Sequence, residues 1–336
     1  MILVGDIGGT NTTLAVVRHE DGRFTIVDSR RYSSAGLSGL EVALSDFLES
    51  RPWHNFSRCC LSGAGPVHNN VCTMTNVAWT IDGNQISTAT GLPTFVINDF
   101  TAICYALPLI DTHPEIQTLA IPHTDGSTPS PQGRVRAVVG AGTGLGTGYL
   151  IEDGGRYTAF PSEAGHAAFA PFDDDTLLLQ GWLDRKYSER VGAEQYVSGQ
   201  GIRNIYLCMR EAGRIGADSV TAGIDEAPLA RIPEMVATHA PGHEGLASVM
   251  RLFVRMYGHY ASNTALCLLP AGGLYIAGGI GAKNHSWLLD DNLFMSTFER
   301  NYNERITPLL KQTPVILIKD YSVSLYGAAH AAISFA

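Results

Sequence analysis

The sequence predicts an α/β protein of two domains flanking a cleft. Three observations carry this. Residues 2–17, ILVGDIGGTNTTLAVV, read as an apolar strand, a glycine-rich turn and a returning strand. The same form recurs about 135 residues later, in AVVGAGTGLGTGYLI from position 137. The opening elements run β-β-β-α-β, which suits a sheet antiparallel at one side and parallel at the other. A chain of 336 residues is roughly two ordinary domains long.

Composition narrows the class. With 45% hydrophobic and 16% charged residues the chain is globular. A net charge of -9 disfavours a nucleic-acid or anionic-membrane surface. Ile2 already starts folding matter, so no leader is expected, and no stretch of about 20 apolar residues could span a bilayer. A cytoplasmic protein is expected. Cys59, Cys60, Cys72, Cys104, Cys208 and Cys267 form no C-x-x-C pair. Reduced, buried thiols are expected, not a zinc site or a disulfide framework.

In order, Ile2–Val4 forms a strand ending at Gly5, and Leu14–Val17 the returning strand. The glycines between them permit positive φ and close backbone approach. Their amides can form a nest for a phosphate, or the turn is simply structural. Asp6, leaving the strand, can face a hydrated Mg²⁺ on such a phosphate. Arg23–Val27 makes a third strand. Leu40, Leu44 and Phe47 have helical spacing after Ser38, and residues 58–64 return as a strand. A dinucleotide fold would place a helix directly after the glycine turn, and here a strand follows.

Residues 71–75 form a short strand. Asp82 caps a helix that Gly91 stops. Phe95–Ile97 is a strand ending at Asn98-Asp99, before a helix over 100–109. Polar residues at the carboxyl end of a strand favour ligand contact, although Asp99 is equally a helix cap and Asn98 a turn residue. Residues 111–136 read as a polar surface excursion with a short strand near 117–120. Solvated side chains are expected there for His113 and His123.

The second glycine turn follows, Gly140 to Gly146. Two such turns would clamp a nucleotide's phosphates from both sides of a cleft. Neither has a lysine. Charge neutralisation would fall to backbone amides, Mg²⁺ and the hydroxyls of Thr10 and Thr143. Glu163 and His166 sit three apart in a loop, suited to sugar hydroxyls or to a purely local role. Asp173–Asp175 cap a helix through Tyr187. Glu194 lies before a helix start at Ser198-Gly199, either facing solvent or reaching the pocket of Glu163. Residues 201–271 are mainly helical, the longest helix spanning about 244–269 with a buried stripe that includes Tyr257. Leu274–Ala277 feeds the Gly278-Gly279 turn, whose small surface would let an adenine pack close. Helical material at 288–298, a loop through Pro308, a strand at 315–318 and a small apolar helix from Ser324 close the chain.

These groups suit phosphoryl transfer from ATP to a hydroxyl of a polyhydroxylated ligand. Asp99 would accept the hydroxyl proton.

GDIGGTN at 5–11, MTNVAW at 74–79, INDFTA at 97–102, GAGTGLG at 140–146, SEAGH at 162–166 and AGGI at 277–280 together resemble the motifs of the bacterial glucokinase family. The resemblance covers nearly the whole chain in consistent order. It implies two ribonuclease H-like domains of the actin/hexokinase ATPase type flanking a cleft. The small α/β domain would be 1–105 plus 320–336, the large one 106–319. It implies ATP-dependent phosphorylation of D-glucose at the 6-hydroxyl, giving glucose 6-phosphate, the first step of glycolysis. Asp99 would be the catalytic base. Asn98, Asp99, Glu163, His166 and Glu194 would bind the sugar. Gly5, Asp6, Ile7, Gly8, Gly9, Thr10, Asn11, Gly140, Gly142, Thr143, Gly144, Gly278 and Gly279 would hold ATP. Asp6 would stand near Mg²⁺ through water.

The resemblance also implies a homodimer with no nucleic-acid or membrane partner. It is to the branch without zinc, because the C-x-C-G-x-x-G-C-x-E motif of the related repressors is missing. Ala164 departs from the glycine of enteric relatives. A broader-range hexose kinase and a sugar-sensing regulator on the same fold are the alternatives.

Overall fold

The computed structural model of the chain describes residues 1–49, 55–75, 77–320 and 322–335. Asn76 of MTNVAW and Ala336 of the closing segment lie outside the described residues. The chain forms two compact units. The first comprises Met1–Gln117, Gly148–Pro161 and Asp320–Ala336, the second Thr118–Thr147 and Ser162–Lys319.

The first unit opens with β1 (Ile2–Ile7), β2 (Asn11–Glu20), β3 (Arg23–Ser33), α1 (Leu40–Glu49) and β4 (Arg58–Gly63), the β-β-β-α-β order read from sequence. A small sheet follows, β5 (Val67–His68), β6 (Val71–Thr73) and β7 (Thr80–Asp82), then α2 (Gly83–Thr90), β8 (Thr94–Asn98) and α3 (Asp99–Ala106). The main sheet has the order β3-β2-β1-β4-β8. β1 pairs antiparallel with β2 and parallel with β4, and β4 pairs parallel with β8. The sheet is therefore mixed, as expected.

Local chemistry explains the boundaries. Leu40, Ala43, Leu44 and Phe47 place one buried stripe on α1. That stripe joins Leu3, Ile7, Leu14 and Leu61 in a single core cluster. Burying each such large side chain contributes about 1.5–3 kcal/mol. The Asp82 carboxylate accepts the amides of Asn84 and Gln85, and Gly91 ends α2 at φ 72°. Both features match the sequence expectation.

β1 runs past Gly5 to Ile7, longer than expected. Gly5 faces Leu14 and Leu61 across the ladders, and a Cβ there would lie 2.8 Å from Leu61 Cδ2. The glycine thus belongs to the strand interior, where only a hydrogen fits.

The remaining strands are β9 (Thr118–Ala120), β10 (Val135–Ala141), β11 (Leu145–Asp153), β12 (Arg156–Ser162), β13 (Leu274–Ala277) and β14 (Val315–Ile318), in a sheet of order β12-β11-β10-β13-β14-β9. The second unit holds β9, β10, β13, β14 and the start of β11, while Gly148–Pro161, which spans the rest of β11 and most of β12, belongs to the first. β10, β13 and β14 run parallel, and β9 joins β14 antiparallel. The helices are α4 (Asp174–Lys186), α5 (Gly199–Glu211), α6 (Ser219–Asp225), α7 (Ile232–His239), α8 (Glu244–Leu268), α9 (Gly279–Lys283), α10 (His285–Leu289), α11 (Leu293–Phe298) and α12 (Thr307–Lys311).

α8 carries the long buried stripe that its spacing predicts. Asp173 forms a reciprocal capping box with Thr176 at α4. The expected loop through Pro308 is instead the start of α12. Proline takes one of that helix's first positions, where its missing N–H costs nothing. The chain returns to the first unit as α13 (Val323–Ser334), which packs on α3, β1 and β4. A Cβ on Gly327 would overlap the Ala102 carbonyl, so glycine sets how closely α13 approaches α3.

His113 and His123 overturn their reading as solvated. Both are 1% exposed. In the first unit His113 Nε2 accepts the Phe24 amide at 2.9 Å. In the second, His123 Nδ1 lies 2.9 Å from Glu299 Oε1 and Nε2 lies 3.0 Å from the Thr313 carbonyl. Their sequence neighbours are polar, but their partners come from distant segments. All six cysteines are free thiols, and Cys267 alone of them is exposed, not buried.

Candidate active site

In the first unit the site residues gather at the β1–β2 turn and the end of β8. The turn is tight without left-handed backbone. Among the described residues of positive φ, none falls within 8–11. The expectation of positive φ there is corrected: Gly8 donates its amide to the Asn11 carbonyl at 2.8 Å. Ser34 braces the turn, its hydroxyl donating to the Gly8 carbonyl at 2.6 Å and lying 3.0 Å from Thr12 Oγ1. Thr10 is left exposed at the tip.

Asp6 Oδ2 accepts from Ser324 Oγ at 2.7 Å. Burial pushes the Asp6 carboxyl up, and the Ser324 hydroxyl and the Arg31 charge draw it partly back. A half-buried carboxylate that accepts one neutral hydroxyl fits an outer-shell contact to a hydrated cation. Among the described residues no three His, Cys, Asp or Glu side chains converge as a metal cage. Mg²⁺ characteristically keeps its waters and draws on substrate phosphates, so one carboxylate suffices.

Asn98, not Asp99, caps α3. Its Oδ1 accepts the amides of Phe100 and Thr101, and its Nδ2 donates to the Gly65 carbonyl at 3.2 Å. Asn98 is the last residue of β8, so its extended backbone aims the side chain back over the helix start. Asp99 follows, half-buried, with Oδ1 accepting the Phe100 amide at 2.9 Å. Burial, with the Asp99 charge adding to it, raises the Cys72 thiol to about 11.

In the second unit, segments far apart in sequence are packed into one assembly by glycines. Gly199 donates its amide to the Gly142 carbonyl at 2.9 Å. Leu145 donates its amide to Glu194 Oε2 at 3.0 Å. A Cβ on Gly144 would overlap that same carboxylate oxygen, and one on Gly165 would overlap the Leu145 carbonyl. At Gly192 a Cβ would lie 2.6 Å from His166 Cα.

The glycine turn, SEAGH and Glu194 are thus one construction. Glu163 and His166 stand out from it, 70% and 68% exposed, with Oε2 and Nε2 3.9 Å apart. Thr143 is exposed on the turn. Gly278, at φ 87°, abuts the turn's root, a Cβ there lying 2.5 Å from the Ala141 carbonyl. Gly279 begins α9.

Within the second unit the structure brings together Gly140, Gly142, Thr143, Gly144, Glu163, His166, Glu194, Gly278 and Gly279. Within the first it brings Gly5 through Asn11 into one hairpin, with Asn98 and Asp99 at the end of the same sheet. Sequence reading missed Ser324 and the packing roles of Gly165, Gly192 and Gly199. A serine beginning an apolar helix carries no signal of its partner, whereas Gly165 beside His166 and Gly192 two positions before Glu194 were usable hints of close approach.

Two strand–glycine turn–strand units on a mixed α/β scaffold define the class: the actin-like ATPase fold of the sugar kinases. A family model described as Glucokinase matches residues 3–334. The glucokinase of Nostoc punctiforme is 36% identical over 352 residues, covering 98% of each chain. A solved glucokinase from an Antarctic psychrotroph is 28% identical with a TM-score of 0.81, covering 99% of this chain and 98% of its own. A ROK-family glucokinase from Streptomyces griseus, solved in complex with glucose and AMPPNP, shares the fold at 19% identity and a TM-score of 0.64. That match covers 98% of this chain and 99% of its own. The chain belongs to the glucokinase family.

Proposed function

We propose that the chain is an ATP:D-glucose 6-phosphotransferase. The observation that carries this reading is Glu194, whose carboxylate is held by the amide of Leu145 at the end of the second glycine turn. A group suited to sugar hydroxyls and a cradle suited to phosphate are thereby built on one rigid assembly. Family membership supports ATP as donor and glucose as acceptor.

Asp99 takes the proton of the glucose 6-hydroxyl as that oxygen attacks the γ-phosphorus. The bond from the γ-phosphorus to its bridging oxygen breaks, and ADP leaves with that oxygen. Asp99 then releases the proton to solvent. Glu163, His166 and Glu194 bind other hydroxyls of the sugar. Asn98 spends its Oδ1 on α3, so its contribution is a remaining Nδ2 proton. The amides of Gly9 and Thr10 and of Thr143 and Gly144, with the hydroxyls of Thr10 and Thr143, cradle phosphates, while the Gly8 and Gly142 amides close the turns themselves. Asp6 would hold Mg²⁺ through water, and the ion would supply charge neutralisation on the phosphates. The Gly278-Gly279 turn offers the adenine a flat backbone surface. A cytoplasmic homodimer completes the reading and rests on the family resemblance. Among the described residues no helix is long and apolar enough to cross a membrane.

The test is ADP formation with Mg-ATP across a panel of hexoses, for the wild type and Asp99→Asn. We expect glucose-dependent turnover. The substitution should lower kcat by about 10²–10⁴-fold, the usual worth of a general base, with glucose binding retained. A wild type silent on every sugar would sink the kinase reading. Activity on fructose and not glucose would replace only the substrate.

A further inference from the structure

We propose that Tyr257 is a positioning residue for the nucleotide, holding the roots of the Gly140–Gly146 and Gly278-Gly279 turns in fixed relation. The inference rests on the kinase reading above.

Tyr257 lies on α8, fully buried, with its ring against Phe253 and Phe294. Its spacing reads as ordinary core. Its hydroxyl does what a core ring cannot. The Oη accepts the Ala141 amide at 3.2 Å. It also lies 3.3 Å from the Val139 carbonyl and 3.4 Å from the Ala277 carbonyl, able to donate to either. Those three groups belong to the ends of β10 and β13.

The parallel ladder between these strands reaches only to Gly140 opposite Ala277. Beyond that pair the strands diverge into their two turns, and buried backbone groups lose their ladder partners. An unpaired buried amide costs free energy comparable to a lost hydrogen bond. The Tyr257 hydroxyl, a donor and an acceptor at one atom, serves both strands at the point of divergence. Ala141 then becomes a joint between the turns. Its amide is on Tyr257, and its carbonyl abuts Gly278, whose left-handed φ of 87° admits that approach.

Ligands in open α/β sheets bind outside the carboxyl ends of strands, where neighbouring connections part. Tyr257 sits beneath such a parting. It touches no substrate in this role and acts through the backbone of the two turns. Loosening it lowers the fraction of molecules whose turns are set for nucleotide, and apparent affinity falls by that fraction. Glu194 is tied to the far end of the same turn by the Leu145 amide, but there the Gly142 bonds to Gly144 and Gly199 also hold the backbone, so the sugar side is disturbed less than the nucleotide side.

The test compares Tyr257→Phe with Tyr260→Phe. Tyr260 is a matched control on the same helix, also buried, its hydroxyl 2.7 Å from Thr147 Oγ1. Dissociation constants are measured by calorimetry for Mg·AMPPNP, and for glucose without nucleotide. We expect Tyr257→Phe to weaken AMPPNP by roughly three- to tenfold, the loss of one hydrogen bond. Glucose affinity should stay within about twofold of wild type, and Tyr260→Phe should leave both constants unchanged.

Equal weakening of both ligands by Tyr257→Phe, or unchanged AMPPNP binding, would overturn the proposal. A wild type that binds no AMPPNP overturns the kinase reading itself. Should Tyr257→Phe fail to fold, amide exchange in the ligand-free wild type still decides. The Ala141 amide must be protected before any nucleotide is added, and free exchange there refutes the bond.

Discussion

Alanine at position 144 is the sharpest perturbation of the second unit's assembly. The added methyl would overlap Glu194 Oε2, the oxygen that accepts the Leu145 amide at 3.0 Å. Backbone holds the turn from beneath, with Gly142 bonded to both Gly144 and Gly199. The carboxylate therefore moves, not the turn. It loses a charge-assisted hydrogen bond worth about 1.5–3 kcal/mol. If that loss falls wholly on the sugar complex, the glucose KM at saturating ATP rises by about 10–150-fold, at 1.4 kcal/mol per decade.

The assay is a double-mutant cycle of Gly144→Ala and Glu194→Ala, read as kcat/KM for glucose. If the methyl acts through Glu194, then Gly144→Ala costs almost nothing in the Glu194→Ala background. Two residues in contact should show such an interaction energy, whereas independent sites add. Additive losses, or a glucose KM unmoved by Gly144→Ala, refute the coupling of the turn to Glu194.

Two further outcomes follow from partly buried polar groups in the first unit. Ser324→Ala removes the hydroxyl that donates to half-buried Asp6. It should destabilise the protein by about 1 kcal/mol in urea, the usual net worth of one hydrogen bond; a change under about 0.5 kcal/mol would show that water replaces the bond. Burial, with the charges of His19 and His113, lowers the His330 pKa from 6.5, against the opposing bond to the Tyr105 carbonyl. A lowered folded value stabilises fully above 6.5 and is lost as pH falls through the folded pKa. Melting temperature should therefore drop on acidification below about pH 6.5, and His330→Gln should flatten that drop. An unaltered slope in the variant would exclude His330 as its source.

Much of the fold was legible because its signals are local. Asp82 and Gly91 bracket α2 within a dozen residues, and the α8 stripe repeats with helical period over its whole length. The glycine turns were legible as turns, and the strand following each turn excluded a dinucleotide fold. The roles of Gly5, His113, His123 and Tyr257 were not legible in the same way. Gly5 looked like the end of a strand because nothing in its neighbours announces Leu61 beneath it. His113 and His123 sit in polar sequence, yet their hydrogen bonds reach across 89 and 176 positions. Tyr257 fits the apolar stripe so well that its hydroxyl was invisible to periodicity. Of the candidate site, residue types and strand-end placement could be read. The packing that ties Glu194 to the second turn depends on backbone approach at Gly144, Gly165 and Gly192, which only three dimensions reveal.

The return of α13 to the first unit has a consequence for biosynthesis. Asp6 and Ser324 are 318 positions apart, yet their side chains are bonded and α13 covers β1 and β4. At about 5–20 residues per second, the ribosome delivers α13 roughly 15–60 s after β1. During that interval an apolar sheet face stands without its cover while the second unit is already emerging. The first strand made is thus among the last to be sealed, and the nascent first unit is the natural client for a chaperone.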